Sequence, residues 1–121
     1  MINKNFTYAV VGASNNKEKY GHIVMKDLMD GGYRVVPINP KESEVLGLKV
    51  YASLGEYKEN IDVAVFVVPP AVTEKIVDEV VSLGIKNVWM QPGSESEKAI
   101  KKCEENRISY IQNACIMINK K

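Results

Sequence analysis

The chain predicts a doubly wound α/β protein of Rossmann-like, three-layer form. Two features carry this. Short runs of apolar, often β-branched residues recur without polar alternation, as in Thr7–Val11 and Asp62–Val68. Stretches with helical spacing separate them, each bounded by glycine or a capping pattern. Continuous apolar runs mark strands buried on both faces of a parallel sheet, and strand–helix alternation marks its crossovers.

Five strands are expected: Thr7–Val11, Arg34–Ile38, Asp62–Val68, Asn87–Met90 and Ile108–Ile111. Between the first two, Val24 and Leu28, and Met25 and Met29, stand i, i+4 on a helix that Gly31-Gly32 stops. Between the third and fourth, Val72, Ile76 and Val80 form a stripe ended by Gly84. Ser94-Glu95-Ser96-Glu97 reads as a capping box for a helix through Ala99, Ile100 and Cys103. The interval Glu42–Ile61 is less regular, with an extended piece over Gly47–Tyr51 and a helical turn or two over Ser53–Tyr57. Right-handed crossovers favour the strand order 3-2-1-4-5. No linker or repeat interrupts the pattern, so residues 1–121 are expected to form one domain.

Composition narrows the function classes. Hydrophobic residues make up 45% and charged residues 26%, the balance of a soluble globular protein. A formal net charge of +1 argues against general nucleic-acid binding. No apolar run reaches the roughly 20 residues of a membrane span, and the polar start Met1–Phe6 lacks a signal-peptide core. The expected setting is cytoplasmic. Two separated cysteines and a single histidine, His22, offer neither a disulfide framework nor a zinc site.

Ligands of such folds lie beyond the carboxyl ends of the strands, where the strand order reverses. With the order 3-2-1-4-5 that point falls between the first strand and the one ending at Met90. The loop Gly12–Gly21 should therefore line the site. Gly12 permits a sharp exit from the strand, Ser14 offers a hydroxyl, and Lys17 and Lys19 add charge. Gly21 allows close approach at a helix N-terminus, which favours phosphate. The loop is neither G-x-G-x-x-G nor a Walker A loop. Asn39-Pro40-Lys41 ends the second strand, where an NAD site would offer Asp or Glu to a ribose. A cation there suits a ribose bearing a phosphate, as in NADP or coenzyme A; as a local pattern the tripeptide also reads as an ordinary turn. Val68-Pro69-Pro70 forms a stiff wall with few donors, Pro70 also suiting a first helical turn, and Gln91 can reach into the cleft. His22 reads as a capping or surface residue, with a phosphate contact as the alternative; Cys115 as a small buried group near the same sheet edge, or a thiol near a ligand; and Cys103 as core. No Ser/His/Asp set can be assembled.

At these residues the chain resembles the small single-domain CoA-binding proteins, which are similar to the nucleotide-binding domain of the succinyl-CoA synthetase α subunit. The resemblance runs from about Tyr8 to Ile118. It rests on Val11-Gly12-Ala13-Ser14, Tyr20-Gly21, Asn39-Pro40-Lys41, Leu46-Gly47, Val50-Tyr51, Val67–Pro70 and Val88–Gly93. It implies a site for coenzyme A or an acyl-CoA made by Gly12, Ala13, Ser14, Lys17, Tyr20, Gly21, Asn39, Pro40, Lys41, Val68, Pro69, Pro70, Thr73 and Gln91. The synthetase's phosphohistidine belongs to another domain and His22 does not match it, so the resemblance implies ligand binding without ligase activity. An NADP-dependent oxidoreductase or NAD(P)-binding module, and a nucleotide-binding subunit serving a separate acyl-CoA ligase, stand as alternatives.

Overall fold

The computed structural model describes residues 1–119. Five parallel strands form one sheet: β1 (Thr7–Val11), β2 (Arg34–Ile38), β5 (Val63–Phe66), β6 (Asn87–Met90) and β7 (Ser109–Ile111). A small antiparallel hairpin, β3 (Glu44–Val45) and β4 (Leu48–Lys49), interrupts the crossover from β2 to β5. Helices α1 (Tyr20–Asp30), α2 (Pro70–Leu83), α3 (Glu97–Glu105) and the short α4 (Ile116–Asn119) complete the described residues. None of these helices is long and apolar enough to cross a membrane.

The α/β class and the five parallel strands agree with the sequence reading, but the order is β2-β1-β5-β6-β7 rather than 3-2-1-4-5. The strand expected outside β2 instead inserts between β1 and β6. Right-handedness explains the change once the faces are assigned. The crossover β1–α1–β2 steps one way along the sheet with α1 on the face of Tyr8, Val10 and Trp89. The crossovers to β5, β6 and β7 all step the other way, so Leu54, α2 and α3 must cover the opposite face, with Ala9, Phe66 and Met90. The reversal therefore falls between β1 and β5.

Both sheet faces are buried, which is why the strands show no polar alternation. Val63 and Val65 point to one cluster while Ala64 and Phe66 point to the other. Pro37 is tolerated because β2 is an edge strand; its carbonyl accepts the Tyr51 N–H at 3.0 Å, and Tyr51 lies against Ile38 as an isolated bridge. A 3-10 turn, Leu54–Glu56, buries Leu54 against α2. Lacking a cap of its own, it borrows one: the Glu79 carboxylate accepts the N–H groups of Leu54 at 3.3 Å and Gly55 at 3.2 Å.

The start of α3 differs from the expected box. Ser96, not Ser94, is the N-cap, its Oγ accepting the Ala99 N–H. Glu95 turns back to accept the Gly93 N–H at 2.9 Å. Ser94 is thereby released for the strand ends, where its Oγ accepts the Val68 N–H at 2.9 Å.

Candidate functional site

Gly12 anchors the site. It leaves β1 at φ +101°, and a Cβ there would meet the Val67 carbonyl oxygen at 2.4 Å. Its N–H donates to the Ile38 carbonyl at 3.0 Å. Gly21 then brings the first turn of α1 down onto this corner: a Cβ on Gly21 would lie 1.9 Å from the Gly12 carbonyl oxygen. A side chain at Gly12 would push this corner off the end of β5, and one at Gly21 would lift the helix off the strand.

The loop between them is held by its own polar groups. Ser14 Oγ accepts the Asn16 N–H at 3.0 Å and Asn16 Oδ1 accepts the Glu18 N–H at 3.0 Å. Glu42 accepts the Asn15 N–H at 2.6 Å, and the Asn15 amide donates to the Glu44 carbonyl at 2.7 Å. His22 is buried, its Nδ1 2.9 Å from the Ser14 carbonyl. A carbonyl only accepts, so Nδ1 carries the proton. Asn39 ties the neighbouring corner to the same loop: its Nδ2 donates to the Ala13 carbonyl at 2.8 Å while Oδ1 accepts the Lys41 N–H at 2.8 Å.

These corners surround a cleft of about 1090 Å³ at the carboxyl edge of the sheet, beside the β1/β5 reversal. No side chain caps the first turn of α1 or of α2, and both helices begin at this cleft, at Lys19–Gly21 and Pro69–Pro70. The first-turn N–H groups of α1 and the positive ends of two helix dipoles favour an anion between them, while α2 adds its dipole and few donors, since Pro69 and Pro70 carry no N–H and Val72 and Thr73 donate to the Pro69 carbonyl. Across the cleft, Gln91 is buried and hydrogen-bonded through both side-chain amide atoms. Its Oε1 accepts the Ile116 N–H at 2.8 Å and its Nε2 donates to Cys115 Sγ at 3.3 Å. Trp89 Nε1 donates to the Ala114 carbonyl at 2.8 Å, so β6 fixes the segment that leads into α4.

Of the residues expected at a site, Gly12, Ser14, Tyr20, Gly21, Asn39, Val68, Pro69, Pro70 and Gln91 line this cleft. Five do not. Ala13 is buried in the core beside α1, and Thr73 is buried in the first turn of α2, its hydroxyl unpartnered among the described residues. Pro40 and Lys41 lie on an exposed turn. Lys17 faces a separate hollow of about 470 Å³ that it shares with His22 and Met117. The switch expected beside Met90 moves one strand over, so Val67–Pro70 faces Gly12 directly. The sequence reading missed the contribution of α4: Met117 and Ile118 form part of the wall, as does Cys115. Their signal was the apolar run Ile116-Met117-Ile118 beyond the last strand.

Fold and cleft together define a Rossmann-like α/β protein with an open cleft at a topological switch. The chain belongs to the family described as the CoA binding domain, whose profile matches residues 6–121. It is 41% identical over 89 residues to the acetate–CoA ligase [ADP-forming] of Methanocaldococcus jannaschii, an alignment covering 74% of this chain and 13% of the ligase. Among solved structures it is similar to a conserved hypothetical protein from Pyrococcus furiosus, with 44% identity and a TM-score of 0.90, covering 93% of this chain and 97% of that one. It is also similar to the dinucleotide forming acetyl-coenzyme A synthetase 1 of Ca. Korarchaeum cryptofilum in complex with phosphate and ADP. There the identity is 27% and the TM-score 0.76, over 89% of this chain and 25% of the synthetase.

Proposed function

We propose that the chain binds coenzyme A or an acyl-CoA through its phosphorylated ADP part and carries out no reaction by itself. The observation that carries this reading is the pair of uncapped helix N-termini meeting at the β1/β5 reversal. A diphosphate placed there would accept from the Ser14 N–H and the first turn of α1, the Gly12 N–H being engaged by the Ile38 carbonyl. Gly21 makes that approach possible, with Ala13 setting the backbone and Tyr20 at the rim. Lys17 contributes charge at long range. The Asn39-Pro40-Lys41 turn would hold the ribose, with Lys41 as the cation for its phosphate. Val68, Pro69 and Pro70 would flank the pantetheine, Thr73 supporting that turn from beneath and Gln91 closing the far side. The family, described as the CoA binding domain, supports the same chemistry. The one histidine, His22, is engaged by the Ser14 carbonyl and is not among the residues that line the cleft.

Calorimetry with CoA, dephospho-CoA, NAD and NADP tests the reading. CoA should bind most tightly, and a preference for either dinucleotide would overturn it. Lys41→Ala should weaken CoA by about 1.5–3 kcal/mol, the worth of one charge-assisted contact, and barely affect dephospho-CoA. The similarity to a ligase of which the chain spans 13% favours one further reading, a nucleotide-binding subunit serving a separate acyl-CoA ligase. Recovery of an ATP-grasp-type protein with the tagged chain from its native host would support it.

A further inference from the structure

We infer that His22 and Glu42 are positioning residues for the cleft: they grip the two ends of the Ser14–Asn15 peptide and, with Asn39, hold Ser14 between two fixed peptide planes so that its N–H is kept ready for an anion. This rests on the reading of the cleft as a CoA site.

A peptide unit is a rigid plane whose C=O and N–H point in opposite directions when it is trans, and no cis bond occurs among the described residues. Gripping one end of such a plane therefore aims the other. The Ala13–Ser14 plane is gripped at its oxygen, which accepts from Asn39 Nδ2 at 2.8 Å. Its N–H, that of Ser14, must point away from Asn39, and it has no partner among the described residues. The next plane, Ser14–Asn15, is gripped at both ends. Its oxygen accepts from His22 Nδ1 at 2.9 Å, and its N–H donates to Glu42 Oε2 at 2.6 Å. Between these planes only the φ and ψ of Ser14 can turn, so holding both planes holds Ser14.

All three grips come from outside the loop. Asn39 and Glu42 flank the Pro40-Lys41 turn after β2, and His22 lies in the first turn of α1. The loop's own bonds, from the Asn16 N–H to Ser14 Oγ and from the Glu18 N–H to Asn16 Oδ1, act on peptide planes further along. Without the outside grips a ligand would have to order the Ser14 backbone as it bound, and affinity would fall by that cost. Ser14 lines the cleft, whereas His22 and Glu42 do not. His22 is buried as well. The two side chains thus act on a ligand through the backbone of Ser14 and not by touching it.

The test is calorimetry on the full chain with CoA and dephospho-CoA, which share the diphosphate and differ at the ribose phosphate. Glu42→Ala and His22→Ala should each weaken both ligands by the same factor, about ten-fold, the worth of one hydrogen bond at the border of neutral and charge-assisted strength. Glu42→Gln retains an oxygen acceptor and His22→Asn a nitrogen donor, so both should bind within about two-fold of the unaltered chain. The Asn15 amide should exchange with solvent faster in Glu42→Ala and at its original rate in Glu42→Gln. Because His22 is buried, Glu42→Ala carries the decision if His22→Ala fails to fold. Binding of CoA by Glu42→Ala within about two-fold of the unaltered chain, or an unchanged Asn15 exchange rate, would overturn the inference and leave the CoA site standing. A loss confined to CoA would overturn it by assigning Glu42 to the ribose phosphate. Glu42→Gln as weak as Glu42→Ala would overturn it by making charge, and not the hydrogen bond, the cause. An unaltered chain that binds neither ligand would overturn the CoA reading and this inference with it.

Discussion

Gly21→Ala sets two effects of opposite sign against each other. In a helix, alanine is favoured over glycine by about 0.8–1.0 kcal/mol, and Gly21 lies in the first turn of α1. On propensity alone the variant should be more stable. The new Cβ, however, would fall 1.9 Å from the Gly12 carbonyl oxygen and 3.0 Å from its carbon. Both are backbone atoms of a buried corner, so no side chain can swing aside. To reach an ordinary contact of about 3.5 Å, α1 must lift by more than an ångström from a face where Val24, Met25 and Leu28 are fully buried. Overpacking of this kind costs about 1–3 kcal/mol, and a backbone-to-backbone clash belongs at the top of that range. The net expectation is a loss of about 2 kcal/mol, which at roughly 4 °C per kcal/mol for a chain of this size lowers Tm by about 8 °C. Urea and thermal unfolding measure it directly. CoA affinity should fall as well, because the lifted turn carries the N–H groups proposed to hold the phosphates. An unchanged or raised Tm would refute the argument that glycine is required here for close packing.

Two further outcomes follow from groups that act away from this turn. Gln91→Leu removes the acceptor for the Ile116 N–H and should cost about 1–3 kcal/mol; faster amide exchange at Ile116, with the β1 amides unaffected, would tie the loss to α4, and unchanged exchange would count against it. Burial pushes the Cys103 thiol from its ordinary 9.0 up to about 11. A group held protonated by folding adds stability below its unfolded value that disappears as pH rises through the folded one, so the unfolding free energy should drop between about pH 9 and 11. Cys103→Ala should flatten that part of the slope. The contribution of Tyr8, also raised by burial, remains.

The strands were legible because burial on both faces leaves a signature in every residue of a run such as Val63–Phe66. Their order was not, because it depends on which face each crossover covers, and the Glu42–Ile61 interval carries no strong helical stripe to declare its face. Leu54, the residue that commits this interval to the α2 side, is a single leucine in a turn capped by a distant Glu79. Gly12 and Gly21 announced themselves by type. Asn39 was legible as a corner, but its amide is spent on the Ala13 carbonyl. Ser94 and Ser96 exchanged roles because both fit a cap, and only the strand end at Val68 distinguishes them. Met117 and Ile118 went unassigned, since nothing local shows that α4 folds back against α1.

The insertion of β5 beside β1 bears on how the protein is assembled. The stretch up to the end of β2 already contains the entire first loop with both of its glycines. Until β5 arrives, however, β1 has one open flank, and Gly12 has no Val67 carbonyl to pack against. The edge proposed to hold the ligand is thus closed by a contact between distant parts of the chain that local structure cannot anticipate. Recognition should emerge in a refolding experiment together with the β1–β5 pairing and never ahead of it, which makes ligand capture a report on completion of the sheet.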